Sequence, residues 1–163
     1  MTKPRQNILT WDEKFMGFAL LASKRSRDPS TQVGAFIANA NNLPVASGYN
    51  GFPRGISNDE FPWDRDGDWL DTKYPYMCHA EQNAIDNRGA HSLRGCKIYV
   101  TLYPCNDCAK RIIQNGITEV VYLSNKYKGQ DEFVASERMF KAAKIKVRQL
   151  KIKKTITLEL KND

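Results

Sequence analysis

Two short runs hold the side chains able to do chemistry: His79-Ala80-Glu81 inside CHAEQNAI, and Pro104-Cys105-Asn106-Asp107-Cys108 further along. One imidazole and two thiolates suit a borderline-soft cation, zinc above all. Three protein ligands leave a fourth position for water, the arrangement of a catalytic rather than a closed structural site. Zinc so held lowers the pKa of its water from about 16 to about 7, which makes hydroxide available at neutral pH. Glu81 stands two residues from His79, beside the metal without being needed as a ligand. A carboxylate in that place takes a proton from the water and returns it to a leaving group, as base and then as acid. The implied chemistry is hydrolysis.

Each half of this pattern has a plainer reading by itself. Cys-x-x-Cys alone also describes a redox pair or half of a structural zinc site, and His-x-Glu alone says almost nothing. Together, with Pro104 before the first cysteine and the strand-like KIYVTL leading in, they read as one catalytic centre. Cys78 and Cys96 read as small buried apolar side chains and His91 as a loop surface residue, so neither a Cys₄ cluster nor a second, structural zinc is expected.

The elements around the motifs must bring them together. If each motif opens a helix, both N-termini point at one spot, where partial positive charge favours thiolate at Cys105 and Cys108. Those cysteines, three apart, share a helix face. The pattern gives helices over 79–88, 106–115 (ended by Gly116) and 133–143, and strands over 97–102, 119–124 and 146–150. Such alternation implies crossover connections and a helix-covered sheet. Upstream, 10–25 reads as a helix with a Thr10/Glu13 capping box and an apolar face of Phe15, Phe18, Ala19, Leu21 and Ala22, stopped by Asp28-Pro29-Ser30. Strands over 32–39 and 43–50 form a hairpin, with Gly34 and Gly48 marking close backbone approaches. Residues 51–77 form a long irregular loop. Its Phe52, Phe61, Trp63, Trp69, Tyr74 and Tyr76 argue for order and for a functional role.

At 163 residues the chain fits a single domain spanning 1–163. No apolar stretch suits a membrane span, the N-terminus lacks a signal-peptide core, and four cysteines read as thiols and ligands, so a cytoplasmic protein is expected. The net charge of +7 points to an anionic partner. From Lys141 onward eight Lys or Arg face only Glu159 and Asp163, but no aromatic side chains interleave them. That composition reads as a solvated basic face, and neither nucleic acid nor membrane is expected as a partner.

His-x-Glu with Pro-Cys-x-x-Cys is shared by the cytidine-deaminase-like superfamily, whose zinc deaminases act on nucleobases. SRDPSTQVGA (26–35), GYNGFPRG (48–55), TKYPYMCHAEQNAI (72–85), TLYPCNDCAKRII (101–113) and GITEVVYLSNKY (116–127) more narrowly resemble deoxycytidylate (dCMP) deaminases, over about residues 15–143. The resemblance implies an α/β fold, single-domain and three-layer α/β/α, with a five-stranded mixed sheet. It implies hydrolysis of dCMP to dUMP and ammonia for thymidylate synthesis, with His79, Cys105 and Cys108 on zinc and Glu81 as proton carrier. It further implies that Asn50 bonds the sugar hydroxyl and that the Ala80 amide holds the base carbonyl. Arg25 and the segment Lys126-Tyr127-Lys128 are candidates for the phosphate, and Tyr103 and Tyr127 for walls around base and sugar. Relatives of this kind are commonly homohexamers, activated by dCTP with a divalent metal such as Mg²⁺ and inhibited by dTTP. The loop carrying Asn50, Gly51, Arg54, Trp63 and Arg65 resembles their effector-binding region. Two rivals stand beside this reading: a deaminase of another carrier (free base, nucleoside or RNA), and a non-catalytic zinc-binding interaction module.

Overall fold

Local chemistry sets the first helix, α1 (Trp11–Ser23), in the computed structural model, which describes residues 2–152, 154, 155, 157 and 159. The capping box forms as expected: the Glu13 amide donates to Thr10 Oγ1 at 3.2 Å, and the Thr10 amide to Glu13 Oε2 at 2.8 Å. The helix ends before residue 25. Ser23 Oγ donates back to the Leu20 carbonyl at 2.7 Å, and the Lys24, Arg25 and Ser26 amides each bond three residues back, tightening the chain.

Phe15, Met16 and Ala19 face the sheet, whereas Leu21 is 56% exposed and Phe18 37%. The expected apolar face is corrected because Gly34 brings the sheet backbone against Ala19: a Cβ there would lie 1.8 Å from the Ala19 carbonyl oxygen. The seating line runs through Ala19 and Ser23, and at 100° per residue Leu21 falls on the far side.

The sheet has five strands: β1 (Gly34–Ala38), β2 (Pro44–Tyr49), β3 (Lys97–Leu102), β4 (Glu119–Ser124) and β5 (Lys146–Gln149). Their order is β2-β1-β3-β4-β5; β1 runs antiparallel to both neighbours, and β3, β4 and β5 are parallel. The hairpin turns through Asn42 at φ 59°, with Asn39 Oδ1 accepting from the Asn41 and Leu43 amides. The remaining helices are α2 (Ala80–Asp86), α3 (Asn106–Gln114) and α4 (Asp131–Ala142).

Side-chain alternation divides the core into two. Ala35, Ile37, Ile98, Val100 and Val120 pack with Ile85, Ile112 and Phe140 of α2, α3 and α4. Phe36, Ala38, Tyr99 and Val121 turn to α1. The result is the three-layer α/β fold with a five-stranded mixed sheet. Among the described residues no helix is long and apolar enough to cross a membrane.

Lys153, Lys161 and Asp163 of the basic stretch lie outside the described residues. The rest is more than a solvated face. Arg148 reaches Asp12 at 2.8 Å and Glu119 at 2.6 Å, Lys146 reaches Glu119, and Lys154 reaches Glu13. Through these pairs β5 and Lys154 are tied to α1 and β4. Arg148 holds the carboxyl of Asp12 below its usual range; for Glu119 burial acts upward, but Arg148, Lys146 and Lys97 together outweigh it and the net shift is downward.

The long loop is closed at its neck by two hydrogen bonds, Gly51 N–H to Cys78 C=O at 3.1 Å and Cys78 N–H to Gly51 C=O at 2.9 Å. Inside it Phe52 packs on Trp63 with ring centres 4.2 Å apart, and Phe61 stacks on Tyr76 at 4.0 Å. One 3₁₀ turn, Trp69–Asp71, lies beyond them.

Candidate active site

Two segments deliver the motifs. β2 runs into Asn50 and the Gly51–Cys78 bridge, after which His79 caps α2; β3 runs through Tyr103 and Pro104, after which Cys105 caps α3. Both capping residues are extended, with ψ of 157° and 176°, and their side chains meet at the two helix starts. The seat of α2 depends on Gly48, where a Cβ would lie 2.3 Å from the Ala84 nitrogen and 2.4 Å from the Ala80 oxygen. Asn83 and Asn87 lash the same helix to β2, donating to the Tyr49 carbonyl at 2.7 Å and the Ser47 carbonyl at 2.8 Å. Sequence reasoning missed both asparagines.

His79 Nδ1 lies 3.4 Å from Cys105 Sγ and 3.4 Å from Cys108 Sγ. A tetrahedral zinc with ordinary bond lengths sets nitrogen and sulfur about 3.5 Å apart, so the donor set fits that ion in both type and spacing. Among the described residues these three form the single group of His, Cys, Asp or Glu side chains close enough to share a metal.

Without a cation the three groups share protons. The Cys108 thiol and the His79 ring pull the Cys105 thiol down to about 4, and the sulfur in turn holds His79 up to about 9. Cys108 moves the other way, raised by its neighbour Cys105 and by burial. A divalent cation bound by ligands this close competes with those protons. Glu81 is buried beside them, and desolvation raises its carboxyl pKa while His79 opposes the shift. A carboxylate poised to take up a proton suits general acid–base work.

A cavity of about 500 Å³ opens over this centre. His79, Ala80, Glu81 and Cys105 line it, and so do Asn50, Tyr103, Tyr127 and Arg65. Tyr103 is buried, its ring edge-on to Tyr122 at 4.9 Å, so it serves both as cavity wall and as core. Tyr127 packs on Phe133 at 5.4 Å, and Lys126 sits over its ring at 4.9 Å.

Other expected residues are not gathered there. Arg25 is exposed and does not line the cavity, nor do Gly51, Arg54 or Trp63. In the loop that resembles an effector-binding region, Arg54 donates to Asn87 Oδ1, Trp63 Nε1 donates to the Asn58 carbonyl at 2.8 Å, and Gly51 forms the bridge to Cys78. Of the residues grouped with the effector loop, Arg65 and Asn50 face the same cavity as the metal ligands. Asp28, Thr31, Lys73 and Trp69 also line it and were not foreseen.

The family model described as "Cytidine and deoxycytidylate deaminase zinc-binding region" matches residues 9–124. The deoxycytidylate deaminases of Mus musculus and Homo sapiens are 51% and 50% identical over 148 residues, covering 90% of this chain and 83% of each relative. Among solved structures, dCMP deaminase from the cyanophage S-TIM5 in complex with dCMP and dUMP superposes with a TM-score of 0.66 at 29% identity, over 85% of this chain and 95% of that one. The span 9–124 takes in β1 to β4, α2, α3 and the three side chains gathered at the starts of those helices. The chain therefore belongs to the cytidine and deoxycytidylate deaminase family and is a hydrolytic deaminase.

Proposed function

We propose that the chain hydrolyses dCMP to dUMP and ammonia, with zinc held by His79, Cys105 and Cys108. The observation that carries this reading is the pair of 3.4 Å separations from His79 Nδ1 to the two sulfurs, with buried Glu81 beside them in an open cavity. The names of the relatives at about half identity, and the cyanophage enzyme's complex with dCMP and dUMP, support the choice of substrate.

Zinc, when bound, supplies the Lewis acidity that makes a water nucleophilic near neutral pH. Glu81 takes one proton from that water as its oxygen bonds to C4 of the cytosine, and passes the proton to N3. The carboxyl then carries the hydroxyl proton to the amino group, the C4–N bond breaks, and ammonia leaves a C4 carbonyl behind. The Ala80 amide holds the base carbonyl and Asn50 the sugar hydroxyl, while Tyr103 and Tyr127 flank base and sugar. For the phosphate Arg65, which lines the cavity, is better placed than Arg25, which does not. Lys126 joins it through Thr31, to whose Oγ1 it donates at 3.2 Å.

The wider reading rests on resemblance: one domain, cytoplasmic, a homohexamer supplying dUMP for thymidylate synthesis, activated by dCTP with Mg²⁺ and inhibited by dTTP. Ammonia release from zinc-loaded protein offered dCMP, cytidine or a tRNA anticodon stem, with and without dCTP and Mg²⁺, tests it. Turnover of dCMP alone, raised by dCTP, is expected; turnover of the RNA in its place overturns the reading.

A further inference from the structure

Lys73 and Asp28 form an ion pair that the deamination chemistry does not call for. Lys73 is 6% exposed and Asp28 3%, and the ammonium lies 2.7 and 2.6 Å from the two carboxylate oxygens. Neither residue belongs to a helix or strand, yet both line the catalytic cavity. A buried ion pair is weak evidence for a stabilising role, since apolar side chains of the same volume do as well or better. Its value lies in fixing geometry, and the atom it fixes is on Asn50.

The carboxylate of Asp28 can only accept. Oδ1 receives the Ser30 amide at 2.8 Å, the Thr31 amide at 3.2 Å and Lys73; Oδ2 receives Lys73 and Asn50 Nδ2, the latter at 3.2 Å. With an acceptor in front of it, Asn50 must present its NH₂. The second N–H of that group goes to the Thr31 carbonyl at 2.9 Å, and Asn50 Oδ1 accepts from the Val33 amide at 2.8 Å. Both donors of Asn50 are therefore spent inside the protein, while Oδ1, with two lone pairs, has used one. What Asn50 can still offer the cavity is an acceptor.

We propose that the Lys73–Asp28 pair is a positioning device that locks the Asn50 amide with Oδ1 free for the ligand, and so selects a nucleotide carrying a hydroxyl donor on its sugar. This rests on the proposed deoxynucleotide substrate, in which the single free hydroxyl of the sugar is at C3′. A ligand without that hydroxyl leaves a buried acceptor unpaired, which lowers its use on the order of 10- to 100-fold.

The test compares zinc-loaded wild type with the charge-neutral double variant Asp28→Asn/Lys73→Met, on dCMP and on its 2′,3′-dideoxy analogue. Asp28→Asn sets an NH₂ against the NH₂ of Asn50 and removes the lock. Wild type is expected to prefer dCMP on the order of 10- to 100-fold in kcat/KM. In the double variant that preference falls below about threefold, mostly through KM for dCMP, with zinc content and circular dichroism unchanged. Should the double variant fail to fold, Asp28→Asn/Lys73→Gln, which also leaves no unpaired buried charge, carries the same expectation. A folded variant that keeps the full preference, or a wild type without one, overturns the inference. Wild type that turns over neither nucleotide overturns the parent reading and this one with it, a result visible before any variant is made.

Discussion

One set of side chains, His79, Cys105 and Cys108, hangs from two helix starts; another, Asp28, Thr31, Asn50 and Lys73, comes from loops, with Lys73 and Asp28 45 positions apart. The first set inherits its geometry from backbone: strands fix where α2 and α3 begin, and the capping residues take their places accordingly. The second has no such scaffold and is held by charge and by hydrogen bonds between its side chains and the loop backbone at Ser30, Thr31 and Val33. Damage at the first set should thus reach the chemistry and leave binding, while damage at the second should reach stability and binding.

The sharpest separation comes from Glu81→Gln, which keeps shape and hydrogen-bonding reach but removes the proton carrier. It should lower kcat by about 10²- to 10⁴-fold while KM stays near wild type and metal analysis still finds zinc. A loss of zinc in step with activity would blur the two sets. Lys73→Met acts on the other set: it leaves Asp28 buried and unpaired, and urea unfolding at neutral pH should record a loss of about 3–5 kcal/mol. Adding Asp28→Asn should restore part of that loss, because the orphaned charge goes with it.

Gly48→Ala tests the backbone that carries the metal set. The added methyl meets the α2 backbone at Ala84 and Ala80, so α2 must shift. Unfolding should show a cost of about 1–3 kcal/mol, with weaker zinc retention against a chelator. The smallest effect lies away from both sets, at Arg148. Asp12 and Glu119 have folded-state pKa values below their ordinary 3.8 and 4.5, so their contribution is complete above those values and is lost as pH falls below them. Arg148→Met should therefore cost about 1 kcal/mol at pH 7 and progressively less as pH falls below those ordinary values, measured on metal-free protein across that range.

The same contrast explains what could be read from sequence. His79, Glu81, Cys105 and Cys108 were legible because the ligand spacing is short and helix starts are written locally. Strands β3 and β4 were legible to the residue, since each is an apolar run between clear stops. The Lys73–Asp28 pair was not: Asp28 looks like a helix stop, Lys73 like a loop charge, and nothing local links them. Arg25 misled for a related reason, as a cation beside a telling motif says nothing of where its side chain ends up. Leu21 misled because the glycine that rotates α1 lies on another element.

The paired hydrogen bonds between Gly51 and Cys78 have a mechanical consequence. Asn50 and His79 each sit one residue outside that clasp, so the acceptor for the ligand and the first metal ligand are riveted to a common joint. A pull on the aromatic loop beyond it would tilt both together, and the span between hydroxyl and metal would stay constant while the floor beneath them moves.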